Sequence, residues 1–93
     1  MQRIYKYGLG IDGTVITIED KIEKFLHIEN QDGWPMVWAL INDDVEKSKY
    51  DIYSIGTGWD IDVRDAEYIG TIIDRFGYVW HYFVKRLDDS PIE

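Results

Sequence analysis

Gly56-Thr57-Gly58-Trp59 is the stretch of this chain with the most chemical content. Its two glycines expose backbone amides, Thr57 adds a hydroxyl, and Trp59 offers a flat face for stacking. Those elements suit a phosphate or a nucleobase. A turn that ends a strand and packs its indole would use the same residues. A phosphate would also need a local cation, and Arg64, Arg75 and Lys85 are the candidates. Gly8-x-Gly10-x-x-Gly13 spells the dinucleotide fingerprint. That fingerprint works only when its last glycine opens a helix that receives the pyrophosphate. Thr14-Val15-Ile16-Thr17-Ile18 follows here, a β-branched run that forms helices poorly, so the match is read as coincidence.

No other group of residues makes a recognisable reaction centre. His27 and His81 are the only imidazoles, and each sits in an alternating segment among aromatics. A metal site needs more ligands at regular spacing, so none is expected. Ser48, Ser54 and Ser90 lie in no nucleophile motif. Asp60-x-Asp62-x-x-Asp65 lacks the ligand count and the glycine of a calcium loop. The sequence is read as that of a non-enzyme without a cofactor.

Trp34, Trp38, Trp59 and Trp80 are a heavy indole load for 93 residues. One or two suit a core. Trp34, Trp38, Trp80 and Tyr82 are taken as a possible interface, and a homo-oligomer is expected. Formal net charge is −8, from 18 acidic and 10 basic residues. Binding to a nucleic-acid backbone needs a basic face, so it is not expected. There is no cysteine, which removes disulfides and thiolate metal sites. The start, Met1-Gln2-Arg3-Ile4-Tyr5-Lys6-Tyr7, has no apolar signal core, and no membrane span is expected.

The elements that must position these residues are short. Trp34 to Ile41 is the longest nearly unbroken apolar run, far below the about 20 residues of a membrane helix. It reads as a strand buried on both faces, entered through a hairpin loop at Asn30–Gly33, with Pro35 at its beginning. Arg3–Tyr7, Thr14–Ile18, Phe25–Glu29, Tyr50–Ile55, Tyr68–Ile73 and Tyr78–Lys85 read as further strands. On the last, Tyr78, Trp80, Tyr82 and Val84 share a face. Asp12-Gly13 signals a hairpin between the first two strands. Glu19–Phe25 fits a single helical turn or a charged turn equally well. The expected fold is all-β or β-dominated, with about six to seven short strands and at most one short helix. It would form a bent antiparallel sheet, a small barrel or a two-layer sandwich. Residues 1–87 make one domain, and 88–93 a polar tail.

Read in order, Ile4–Tyr7 (Ile-Tyr-Lys-Tyr), the Gln31–Gly33 turn with Trp38–Ile41 (Trp-Ala-Leu-Ile), Gly56–Gly58, Tyr68–Thr71 (Tyr-Ile-Gly-Thr) and Val79–Phe83 (Val-Trp-His-Tyr-Phe) form a pattern. It resembles a family of small, functionally uncharacterised proteins of tailed bacteriophages and prophages. The chain departs from that family before the third strand, where Glu19–Lys24 replaces a Met-Pro-x-Gly-Ala-like turn. The resemblance implies a phage origin and a place in the cytoplasm of the bacterial host. It implies no active site. Its class suggests an accessory protein that binds and neutralises a host component, by sequestering a nucleotide signal in a counter-defence role. The alternatives are an acidic inhibitor of a host protein, or a structural or assembly module of the phage particle.

Overall fold

The computed structural model describes residues 1–87. The expected tail at 88–93 lies outside the described residues. Alternating apolar positions produce seven strands: β1 (Gln2–Gly8), β2 (Val15–Asp20), β3 (Ile22–Gln31), β4 (Trp34–Asn42), β5 (Ser48–Gly56), β6 (Glu67–Ile73) and β7 (Val79–Leu87). No helix occurs among the described residues. All pairings are antiparallel and fall into two sheets, ordered β1-β4-β3 and β2-β5-β7-β6. Of the three expected architectures the chain takes the two-layer sandwich, and no barrel closes.

The core lies between the sheets. Val37, Ala39 and Ile41 of β4 meet Ile18, Ile52, Ile72, Trp80, Tyr82 and Val84 of the four-stranded sheet. The face of β7 that carries Trp80, Tyr82 and Val84 is the one read from the sequence. Strand β4 corrects the sequence reading: Pro35, Val37, Ala39 and Ile41 are buried, whereas Met36, Trp38 and Leu40 are only half-buried. Their face is the outside of the three-stranded sheet, so one side of the strand, not both, is core.

Two connections also differ from expectation. Asp12 and Gly13 do make a tight turn, with φ of 56° and 83° and a bond from Thr14 N to Ile11 O of 3.0 Å. That turn joins strands of different sheets, so β1 and β2 form no hairpin. Glu19–Phe25 is extended, with neither a helical turn nor a loop. The chain passes from one sheet to the other at Lys21, where the Asp20 carboxylate accepts from Lys21 N (2.8 Å) and Tyr7 OH (2.7 Å). The β3–β4 hairpin forms as expected, turning at Asp32 and Gly33 with φ of 53° and 82°.

A bulge between Tyr68 and Gly70 lets Ile28 of β3 sit against β6. A Cβ at position 70 would lie 2.5 Å from Ile28 Cδ1 and Cγ1, so this approach of the sheets requires glycine. Strand β7 separates β5 from β6, so those two run parallel and the 57–66 connection must travel back along the sheet.

Candidate functional site: an aromatic end built from three turns

Three turns converge on Trp80 at one end of the sandwich. The first is the Ile11–Thr14 crossover. The buried Tyr82 hydroxyl donates to Gly10 O (2.7 Å) and Ser54 Oγ donates to Thr14 O (3.1 Å), which fixes the crossover on the four-stranded sheet. The second is Gly56–Trp59, closed by Trp59 N to Gly56 O at 3.2 Å. The Trp59 ring folds back over Gly56, where a Cβ would be 2.6 Å from Cε2. It meets the Trp80 ring edge-on at 5.7 Å and 71°.

The third turn runs from Asp74 to Tyr78. The Asp74 carboxylate is buried and accepts three bonds: Phe76 N (2.8 Å) and Tyr78 N (3.0 Å) on Oδ1, and Trp80 Nε1 (2.8 Å) on Oδ2. Its backbone closes the turn with two more, Asp74 N to Tyr78 O (2.8 Å) and Gly77 N to Asp74 O (3.0 Å). Burial pushes the Asp74 pKa up, but the indole and backbone donors outweigh it and hold the group below its ordinary value. Asp74 is therefore a fixed anion, held by two amides of its own turn and by the Trp80 indole. The turn projects its aromatic side chains outward: Phe76 is 67% exposed and Tyr78 63%.

Tyr78 stands between two clefts. One of 400 Å³ is lined by Ile11, Asp12, Asp74, Phe76 and Trp80 besides Tyr78. The other, of 280 Å³, reaches Thr57 and Trp59. A third cleft of 350 Å³ lies beside Trp59, with Tyr53, Ile61 and Val63 as apolar lining and Asp62, Asp65 and Lys85 as its charged groups.

The structure thus keeps Gly56, Thr57, Gly58 and Trp59 together and adds Trp80 to them. Several groups that a phosphate would use have partners of their own. The Trp59 amide is used inside its turn, Arg64 is paired with Asp62 at 2.7 Å, and Arg75 lies over the Phe76 ring at 5.1 Å. Only Lys85 reaches the Trp59 cleft, against Asp62 and Asp65. Among the described residues no group of acidic and imidazole side chains could hold a metal ion.

The four interface candidates separate. Trp80 is 6% exposed and Tyr82 0%, so both are core residues, and only an edge of Trp80 reaches the clefts beside Tyr78. Their ring edges carry polar atoms, but these bond inward to Asp74 and Gly10. Trp34 is exposed and lies beside Gly8, and Trp38 is half-buried on the outside of the three-stranded sheet near His27. The β3–β4 turn next to Trp34 abuts the Asp74 turn, since Asn30 Nδ2 donates to Ile73 O at 2.6 Å.

Sequence reasoning missed two arrangements. One is the Asp74 turn, visible only as a turn signal because its ligands are mostly backbone. The other is a hydrogen-bonded row on the outer face of the four-stranded sheet. Thr57 Oγ1 meets His81 Nε2 at 2.7 Å, His81 Nδ1 meets Thr71 Oγ1 at 3.0 Å, and Thr71 Oγ1 meets Tyr68 OH at 2.6 Å. No local motif marks this row, because its members come from three chain segments. A hydroxyl beside a histidine can act as nucleophile and base. Here the group on Nδ1 is another hydroxyl and not a carboxylate, so an imidazolium would gain no charged partner. What the row does achieve is to tie the Gly56–Trp59 turn to β6 and β7.

Fold and site together define a small two-sheet β-protein with a preorganised aromatic end. Residues 1–92 match the family described as Domain of unknown function (DUF7352), and the chain belongs to that family. No curated protein and no solved structure matches it. No helix among the described residues is long and apolar enough to cross a membrane.

Proposed function

We propose that this is a phage accessory protein that acts in the host cytoplasm by binding and neutralising a host component, without catalysing a reaction. The observation that carries the proposal is the aromatic end. A buried carboxylate that accepts three hydrogen bonds holds a turn whose job cannot be core packing, because Phe76 and Tyr78 point into solvent. Preorganised aromatic side chains bind with little loss of conformational entropy. The polar groups of the same end serve to hold its turns, which favours capture over chemistry.

A nucleotide signal is the less favoured ligand. Its base would find a face on Trp59, but its phosphates would meet two carboxylates and one ammonium in the neighbouring cleft. The acidic net charge of −8 weighs the same way. Self-association belongs to the proposal as well: Ile4, Met36, Trp38 and Leu40 form an apolar strip on the outside of the three-stranded sheet that a second copy would cover. A particle-assembly role would instead place the protein in purified virions.

Native mass spectrometry of the protein after incubation with host lysate tests the reading. A retained mass that disappears with Tyr78→Ala supports it. A protein that retains nothing, or whose adduct survives substitution at every exposed aromatic of this end, overturns it.

A further inference from the structure

We infer that the occupant of the aromatic end is a protein, one that offers an apolar pocket rimmed by lysine or arginine, and that Phe76 and Tyr78 are the side chains that enter it. This rests on the binding reading above and names the partner class for the same site.

Shape comes first. A small ligand is held best in a concavity that encloses most of its surface. Here Phe76 and Tyr78 stand mostly in solvent, and Tyr78 divides two open clefts that enclose little of what they would hold. The projecting part of the contact is therefore on this chain, and the receiving pocket belongs to the partner. Aromatic side chains on a fixed turn are typical of the few residues that dominate protein interfaces. Four hydrogen bonds fix the backbone of the Asp74 turn, two to the carboxylate and two within the main chain, and the Trp80 indole anchors the carboxylate itself. Little ordering is left to occur on docking.

Charge gives the partner its sign. Asp12 lines the cleft beside Tyr78, and Asp32 sits in the β3–β4 turn that abuts the Asp74 turn. Arg75 is the cation of the turn itself, and its guanidinium lies over the Phe76 ring. The charged side chains that line the Tyr78 cleft are thus both carboxylates, Asp12 and Asp74, on a chain of net charge −8. Phosphate-bearing ligands, nucleic acid and anionic lipid are all disfavoured by this field, whereas a basic protein surface is drawn in and oriented.

The test uses the full 93-residue chain as bait in host lysate. Captured proteins are identified and purified, and their affinity is measured by calorimetry against wild type, Phe76→Ala, Tyr78→Ala, Asp12→Asn and Glu46→Gln, an exposed carboxylate in the connection after β4. The exposed positions of these side chains leave the fold intact, and far-UV circular dichroism checks that. The expected result is a basic partner whose affinity falls about thirtyfold or more with each aromatic substitution. Asp12→Asn slows its association and added salt weakens it, while Glu46→Gln leaves it unchanged. A partner that binds Phe76→Ala and Tyr78→Ala as tightly as wild type overturns the inference. So does binding of the end to phosphatidylcholine–phosphatidylglycerol vesicles in place of a protein. A small molecule lost with Tyr78→Ala would refute the protein occupant but keep the binding reading. No captured species of any kind would sink both.

Discussion

Replacing Tyr82 by phenylalanine removes one atom and tests how the aromatic end is held. The Tyr82 ring is fully buried in the core and its hydroxyl donates to Gly10 O at 2.7 Å. Tyr82→Phe keeps the ring packing and leaves the Gly10 carbonyl, in a buried residue, without this donor. Loss of one partner from a buried hydrogen bond costs about 1–3 kcal/mol. For a domain of this size each kcal/mol lowers Tm by about 4–8 °C, so the expected fall is roughly 4–24 °C. The damage has a direction as well as a size. Gly10 leads into the Ile11–Thr14 turn, which packs against Trp59 and contributes Asp12 to the cleft beside Tyr78. Amide exchange should therefore accelerate at Ile11–Thr14 before it does in β5 or β7. Thermal unfolding followed by tryptophan fluorescence, with hydrogen exchange on the same variant, reads both effects. A Tm within a degree of wild type, with unchanged exchange in the crossover, would refute the claim that this bond positions the turn.

Gly70→Ala should destabilise by about 1–3 kcal/mol, because the new methyl must displace Ile28 and the φ of 150° disfavours any side chain; urea unfolding checks it. Phe76→Ala should shift stability by no more than about 0.5 kcal/mol in the same assay, since the ring is mostly in solvent. Acid should weaken the fold through Asp74. Its folded pKa is depressed, so its contribution is present above the ordinary carboxylate value of about 4 and is lost as pH falls through the folded value. Alkali should weaken it through Tyr7 and Tyr82, whose pKa values are raised by burial first, and then by Asp20 and Asp74 respectively. Their contribution is complete below the unfolded value of about 10 and is lost as pH rises toward the folded values, which urea midpoints across pH would show.

Period-two patterning made the strands legible. The alternation on Trp80, Tyr82 and Val84 marked the inner face of β7, and Asp32-Gly33 marked the one hairpin that carries β4. Sheet membership was not legible. Asp12-Gly13 has the residues of a hairpin turn, but those residues specify only backbone dihedrals, and tertiary packing decides whether the next strand pairs back or crosses over. Glu19–Lys24 carries charges that suggested a turn, whereas the Asp20 carboxylate caps a corner in extended chain. Trp80 and Tyr82 looked suited to an interface because the chain has more large aromatics than a small core needs, and each also carries a polar atom. Asp74 and Gly10 satisfy those atoms internally, a pairing that no local spacing announces. The Gly56–Trp59 stretch does form a turn, and its ring packs edge-on against Trp80. Its surroundings, Gly13, Trp80 and His81, come from distant segments and emerge only in three dimensions.

The central claim is that binding occurs through the aromatic end. Nitrogen-15-labelled protein observed by two-dimensional NMR in host lysate tests it most directly. The account predicts shifts and broadening confined to Ile11–Thr14, Thr57–Trp59 and Asp74–Trp80, and their disappearance with Tyr78→Ala. Perturbations centred instead on Ile4, Met36, Trp38 and Leu40, on the outside of the three-stranded sheet, would contradict it.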